Sequence, residues 1–232
     1  MGPNYAIGMR KVDGSPVVRL GEGGDPSLSR DGRWVLAEIP GPPGKLMIYP
    51  TGAGQPRQLD KGNLERYAHS EWFRDGTRVL FDASEAGRGF RCYLQTVAGG
   101  PPRPVTPEGT RNGLLSPDER QILARNPNGS YTIYPLEGGA PRPVLGVDQL
   151  DSVIHWCADG RSILAFRGNE IPCRLERVDL ATGQRSLFKT IAPKDPTCVL
   201  AVSPTFVTDD QRSIAYEVSW HRSRLYVTES RP

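Results

Sequence analysis

Short apolar runs recur along the chain, and aspartate, glycine or proline interrupts each of them. Ser29-Arg30-Asp31-Gly32-Arg33 leads into WVLAE, Phe73-Arg74-Asp75-Gly76-Thr77 into RVLFD, and Ser116-Pro117-Asp118-Glu119-Arg120 into QILAR. Cys157-Ala158-Asp159-Gly160-Arg161 leads into SILAF, and Thr208-Asp209-Asp210-Gln211-Arg212 into SIAYE. An Asp-Gly pair between two strand-forming runs is a hairpin signal, because both turn positions favour residues that tolerate left-handed backbone. The marker residues Asp31, Asp75, Asp118, Asp159 and Asp210 are 44, 43, 41 and 51 residues apart. That period predicts four-stranded antiparallel units of the propeller-blade kind rather than a helical repeat.

The remainder of each unit fits the same pattern. A third strand is expected at residues 46–49, 92–97, 131–136, 175–180 and 225–228. A second turn follows it, such as Gly99-Gly100-Pro101-Pro102 or Gly138-Gly139-Ala140-Pro141, and then a proline-bearing strand. Proline cannot donate to a ladder, so that fourth strand belongs at the blade's edge. The chain is therefore expected to be one all-β propeller domain of about five repeats. Its segments would be residues 1–24 (the end of a preceding blade), 25–66, 67–110, 111–150, 151–196 and an incomplete last blade, 197–232. If the strand near Val17 to Leu20 completed the last blade, five blades would close and the strand Tyr5 to Lys11 would be redundant. That redundancy favours an arc of a larger propeller.

Two local features test the pattern. Leu64, Tyr67, Ala68 and Trp72 carry helical spacing, whereas the repeat register places Trp72 three residues before Asp75, like Leu28, Leu115, Trp156 and Val207 before their own aspartates. Five matched positions outweigh one window, leaving at most a helical turn near Leu64 to Arg66. The turns at Glu119 and at Asp209 to Gln211 lack glycine and are expected to be irregular.

Composition adds bounds. With 37% hydrophobic residues the chain can build a core, and 26 glycines with 22 prolines leave little room for long helices. No apolar window is long enough for a transmembrane helix, and the net charge of +3 gives little reason to expect a nucleic-acid partner. Cys92, Cys157, Cys173 and Cys198 have no CxxC spacing; they read as scattered buried thiols, with Cys157–Cys173 and Cys173–Cys198 disulfides left open.

With Ser-Pro-Asp-type turns and Gly/Pro-rich second turns, the chain resembles TolB-type, WD40-like (PD40) propeller repeats over essentially its whole length. VLAEIPGPPGKLMIYPTGAGQPRQL, EAGRGFRCYLQTVAGGPPRPVTPEG and RVDLATGQRS are also similar to the C-terminal propeller of bacterial eukaryote-like serine/threonine kinases. That resemblance implies a sensor module in a larger signalling protein, extracytoplasmic if the receptor likeness holds. The arginine-rich basic set suits a GC-rich bacterial genome.

Catalytic motifs are missing: no G-x-S-x-G, H-E-x-x-H, kinase H-R-D or D-F-G. The chain is thus expected to be non-enzymatic, with no cofactor and no metal site. The marker aspartates read as turn residues, and His69, His155 and His221 as loop or strand residues in separate repeats. Loop variation is confined to the second-to-third and inter-blade connections, which share one end of the blades, and repeat proteins bind where loops vary. Those loops together carry slight negative charge, against nucleic-acid binding. Within them, aromatics beside arginines nominate Arg66, Tyr67, Arg88, Phe90, Arg91, Trp220, His221 and Arg222. The expected activity is binding of a protein, peptide or small ligand. The alternative is an accessory propeller of a kinase or hydrolase whose catalytic domain lies outside this chain.

Overall fold

Each marker aspartate ties down the hairpin that follows it. In the computed structural model, which describes residues 5–168 and 170–220, Asp31 Oδ1 accepts the Arg33 N–H at 3.0 Å and the Ser29 hydroxyl at 2.6 Å. Asp75, Asp118, Asp159 and Asp210 accept the N–H two residues ahead at 2.8, 3.1, 2.8 and 3.0 Å. The next residue is left-handed in all five turns: Gly32 at φ 70°, Gly76 at 64°, Glu119 at 58°, Gly160 at 67° and Gln211 at 57°.

The turns at Glu119 and Gln211 are therefore regular, contrary to expectation. Aspartate bonding sets the geometry, and an L side chain accepts it at a cost of about 1–2 kcal/mol. Both side chains also hold the blade before them. Glu119 accepts the Arg74 N–H, and Gln211 accepts from the Arg177 guanidinium.

The chain divides into two compact units, residues 1–144 and 145–232. In the first, β1 (Ala6–Met9) and β2 (Val18–Glu22) form a two-stranded sheet. Three four-stranded antiparallel meanders follow. The first blade comprises β3 (Gly24–Leu28), β4 (Trp34–Ile39), β5 (Lys45–Pro50) and β6 (Arg57–Gln58). The second has β7 (Leu64–Trp72), β8 (Arg78–Glu85), β9 (Arg91–Thr96) and β10 (Arg103–Pro104). The third has β11 (Arg111–Leu115), β12 (Gln121–Arg125), β13 (Tyr131–Pro135) and β14 (Arg142–Pro143).

Residues 64–66 are strand, not a helical turn, so β7 runs across the expected break at residues 66 and 67. Burial of Leu64, Tyr67 and Trp72 in one cluster with Phe81 and Tyr93 decides this in favour of the strand register. The fourth strands β6, β10 and β14 are two residues long, as proline's missing donor requires of an edge.

Alternation of side chains distributes the core. Along β8, Val79, Phe81 and Ala83 face the first blade's Leu36 and Ile48, while Leu80 faces Leu115, Ile122 and Tyr134 of the third. Because β8 is buried on both faces, its first half, Val79-Leu80-Phe81, reads as an unbroken apolar run rather than an alternating one. Ile7 packs with Val35, Ala37 and Tyr49 on the first blade's other face.

The second unit holds β15 (Asp151–Trp156), β16 (Ser162–Arg167), β17 (Cys173–Asp179) and β18 (Arg185–Ile191) as one blade. A hairpin of β19 (Val199–Val207) and β20 (Ile214–Trp220) follows. Leu164, Phe166 and Leu175 pack there against Val202 and Val207. The expected third strand at 225–228 lies outside the described residues. Cys92, Cys157 and Cys173 are buried free thiols, whereas Cys198 is exposed, so the expected uniform burial fails at that position.

Candidate functional site

The end of the second blade where loops 86–90 and 105–110 emerge is held by hydrogen bonds between those loops. Gly89 N–H donates to Glu108 Oε1 at 2.7 Å, and Gly109 N–H to the Phe90 carbonyl at 2.6 Å. Thr106 Oγ1 accepts the Cys92 N–H at 2.8 Å and lies 2.6 Å from Thr110 Oγ1, with both threonines buried. Side chains on this end are presented by a fixed backbone.

Four arginines converge on it. The Arg66 guanidinium lies 5.0 Å from the centre of the Phe90 ring and that of Arg111 lies 4.4 Å from the same centre. Such stacking exploits the negative face of the ring. Arg66 donates to Ser84 Oγ at 3.0 Å and to the Arg88 carbonyl at 3.3 Å. Arg91 binds Glu85 at 2.7 Å and the Tyr93 hydroxyl at 2.9 Å; Arg88 lies 3.5 Å from both Glu85 and Glu108. The Arg91 hydrogen bond, with that from Tyr93, holds the Glu85 carboxyl below its ordinary value against the opposing effect of burial. Among the described residues, neither Arg66 nor Arg111 has a carboxylate partner.

Of the nominated residues, the structure thus brings Arg66, Arg88, Phe90 and Arg91 together and adds Arg111. Two placements correct the expectation. Tyr67 is 4% exposed, 5.8 Å from Phe81 in the core, and burial pushes its hydroxyl pKa up to about 12, with Asp60 adding to the rise. Phe90 is 8% exposed: its ring plugs the loop end and serves as a platform, while the guanidiniums form the surface. Trp220, 58% exposed at the end of β20, belongs to the other unit. His221 and Arg222 lie outside the described residues.

Immediately inward, β7 and β11 carry bulges whose central residues His69 and Asn112 are left-handed at φ 35° and 55°. Asp25 of β3 holds the same register at φ 45°. Beside His69 sits Asp82, 1% exposed; its Oδ2 accepts the Asn112 N–H, while among the described residues Oδ1 accepts no hydrogen bond within normal geometry. Burial pushes this carboxyl above its ordinary value, against the pull of His69, the Cys92 thiol and the N–H groups of Asn112 and Gly113. Gly113 allows that approach, because a Cβ there would lie 2.8 Å from Cys92 Sγ. Glu38 occupies the place of Asp82 in the first blade, and burial with the nearby Asp25 charge raises its pKa to about 7.

Sequence reasoning missed this inner row, although the repeat carries its signal. Six residues before each marker aspartate stand Asp25, His69 and Asn112, then Val153 and Pro204; seven after stand Glu38, Asp82 and Arg125, then Phe166 and Glu217. Reading blades by column rather than along the chain exposes three successive polar pairs in residues 1–144.

The marker aspartates are turn residues here. Hydroxyl bonds first, then backbone N–H bonds, lower Asp31, Asp118 and Asp210; burial opposes ionisation of Asp75 and Asp159, but N–H bonds with side-chain bonds from Arg78 and Ser162 together lower both. Among the described residues no three His, Cys, Asp or Glu side chains are placed to share a metal ion, and no helix is long and apolar enough to cross a membrane.

No protein-family model matches the sequence, and no curated protein matches it. Solved structures do. TolB from Acinetobacter baumannii superposes with a TM-score of 0.67 at 15% identity over 94% of this chain and 61% of that one, so the chain spans less than two thirds of that relative. A putative TolB from Agrobacterium tumefaciens gives 0.64 at 15% identity, covering 94% and 85%. A chain of a nidogen/laminin complex gives 0.60 at 12% identity, covering 81% and 72%. The likeness establishes the fold: four-stranded blades of a TolB-like β-propeller.

Proposed function

We propose that this TolB-like propeller is a non-catalytic binding module that takes a protein or peptide partner on the loop end of its second and third blades. The observation carrying the reading is the Phe90 platform, where Arg66 and Arg111 are held in place with no carboxylate partner among the described residues. Preorganised arginines and aromatics are the residues that contribute most at interfaces, since little side-chain freedom is lost on contact. One solved structure with this fold, the nidogen/laminin complex, contains a propeller in a protein assembly. A signalling role for the parent protein, as in the kinases whose C-terminal propellers the sequence resembles, fits such a module.

Photo-crosslinking tests the choice of face. A benzophenone side chain at position 88 on the loop end and one at position 98 in the opposite turn are introduced separately and irradiated in the protein's native cells. Protein adducts at 88 and none at 98 support the reading; adducts at 98 alone, or at neither position, overturn it.

A further inference from the structure

Resting on that reading, we propose that the partner's contact is an acidic peptide segment, bound through its carboxylates by Arg66 and Arg111, both stacked on the Phe90 platform. Three observations lead there. Both guanidiniums lie within 5.0 Å of one ring centre, so their positions are fixed relative to each other. Among the described residues neither guanidinium has a carboxylate partner, so the charge of both is open to an anion. Arg66 and Arg111 are themselves exposed, so a carboxylate reaches them without displacing the buried ring.

The surroundings choose between anions. Glu85 and Glu108 flank the cluster and engage Arg88 and Arg91. A polyanion such as nucleic acid would meet those carboxylates along its backbone, whereas it needs a broad basic track. A short extended peptide avoids them. Alternate residues on one face of a strand are roughly 7 Å apart, which suits two acidic side chains reaching guanidiniums that lie 5.0 and 4.4 Å from one ring centre. Arginine's planar fork suits carboxylates, each taken in a bidentate pair.

The experiment measures fluorescence anisotropy of labelled (Gly-Glu)4 and (Gly-Gln)4 peptides titrated with the full chain at low salt. The Glu peptide is expected to bind at least tenfold more tightly than the Gln peptide. The Arg66→Gln, Arg111→Gln double variant is expected to lose about tenfold or more of that affinity while its melting curve stays within a few degrees of the parent's. Glu108→Gln keeps an acceptor for Gly89, removes one flanking negative charge and leaves Arg88 to Glu85 alone, so it is expected to tighten binding about twofold. Changing the exposed Arg103 and Arg142 to Gln is the control and is expected to leave affinity unchanged.

Equal binding of the two peptides, or an unaltered double variant, overturns the proposal. Tighter binding of a single-stranded oligonucleotide than of the Glu peptide, lost in the same double variant, overturns it in favour of a polyanion. Crosslinks at position 88 that survive the double variant would leave the binding face standing while removing the acidic peptide, so the two readings fail separately.

Discussion

Charged residues crowd both the loop end of the second blade and the start of β15 in the fourth, yet they are used oppositely. In the fourth blade Asp151, its side chain fully buried, takes Arg185 at 2.8 and 3.0 Å and Arg167 at 3.3 Å, while Arg167 also binds Asp148 at 2.7 Å and Arg185 binds Glu176 at 2.7 Å. A cleft of about 270 Å³ beside Arg167, Arg174 and Arg185 is also lined by Glu170 and Glu176. Every cation there has an acid. At the second blade the arginines outnumber the glutamates, and two of them rest on an aromatic ring. Residue type alone does not distinguish a structural network from a binding surface; the balance of partners does.

The sharpest way to break the comparison is to remove the anchor of the neutralised network. Asp151→Ala leaves Arg185 partly buried without its main partner, and urea denaturation is expected to show a loss of about 3 kcal/mol. Arg66→Gln and Arg111→Gln sever no ion pair, so each is expected to cost less than about 1 kcal/mol. If the arginine variants destabilise as much as Asp151→Ala, the second-blade cluster is structural and the contrast is void. Burial opposes ionisation of Asp151, but hydrogen bonds from Arg185, then from the Asp148 N–H, hold its pKa below the ordinary value. Its contribution is therefore present above the unfolded pKa near 4 and lost as pH falls through the lower folded value.

Phe90 comes next. Phe90→Ala removes a buried ring and is expected to cost about 3 kcal/mol, while Phe90→Leu costs roughly 1 kcal/mol. Both release Arg66 and Arg111, so both are expected to weaken the Glu peptide. Binding unchanged in the leucine variant would show that the arginines need no platform.

Glu38 supplies a smaller effect of opposite sign to Asp151. Its pKa is raised from 4.5 to about 7, so the folded state holds the proton more tightly and stability falls as pH rises across that interval. The side chain is partly buried and still reached by solvent, and screening reduces the full linkage to about 1–2 kcal/mol. Glu38→Gln is expected to unfold with a midpoint nearly independent of pH from 5 to 8 and to exceed the parent in stability at pH 8. Parallel pH profiles of parent and variant would remove Glu38 from the titrating groups.

The blades were legible because a turn aspartate has local causes: its bonds reach two residues ahead, so each turn announces itself in a five-residue window. Burial of Tyr67 was not legible, since it depends on which face of a bulged strand meets the adjacent blade, and that of Phe90 depends on how its loop is tied to residues 105–110. Arg111 was missed for the same reason. Phe90 and Arg111 meet across two loops and a blade boundary, and neither residue's own window contains the other.

The smallest expected effect separates two contributions within the turns. Glu119 and Gln211 both sit left-handed where other blades use glycine, and each reaches back to the preceding blade. Comparing alanine with glycine at one position reads the backbone strain alone, because neither has the reaching side chain; alanine is expected to be less stable by about 1 kcal/mol at both sites. Comparing glycine with the parent reads the tie. Glu119 holds the Arg74 N–H and lies 3.9 Å from Arg78, so Glu119→Gly is expected to lose about 1 kcal/mol despite the relieved turn. Gln211 offers one bond to a partly exposed Arg177, which relief of strain largely offsets, so Gln211→Gly is expected to change stability by less than about 0.5 kcal/mol. A larger loss at 211 than at 119 would place the stronger tie in the second unit and reverse the ranking.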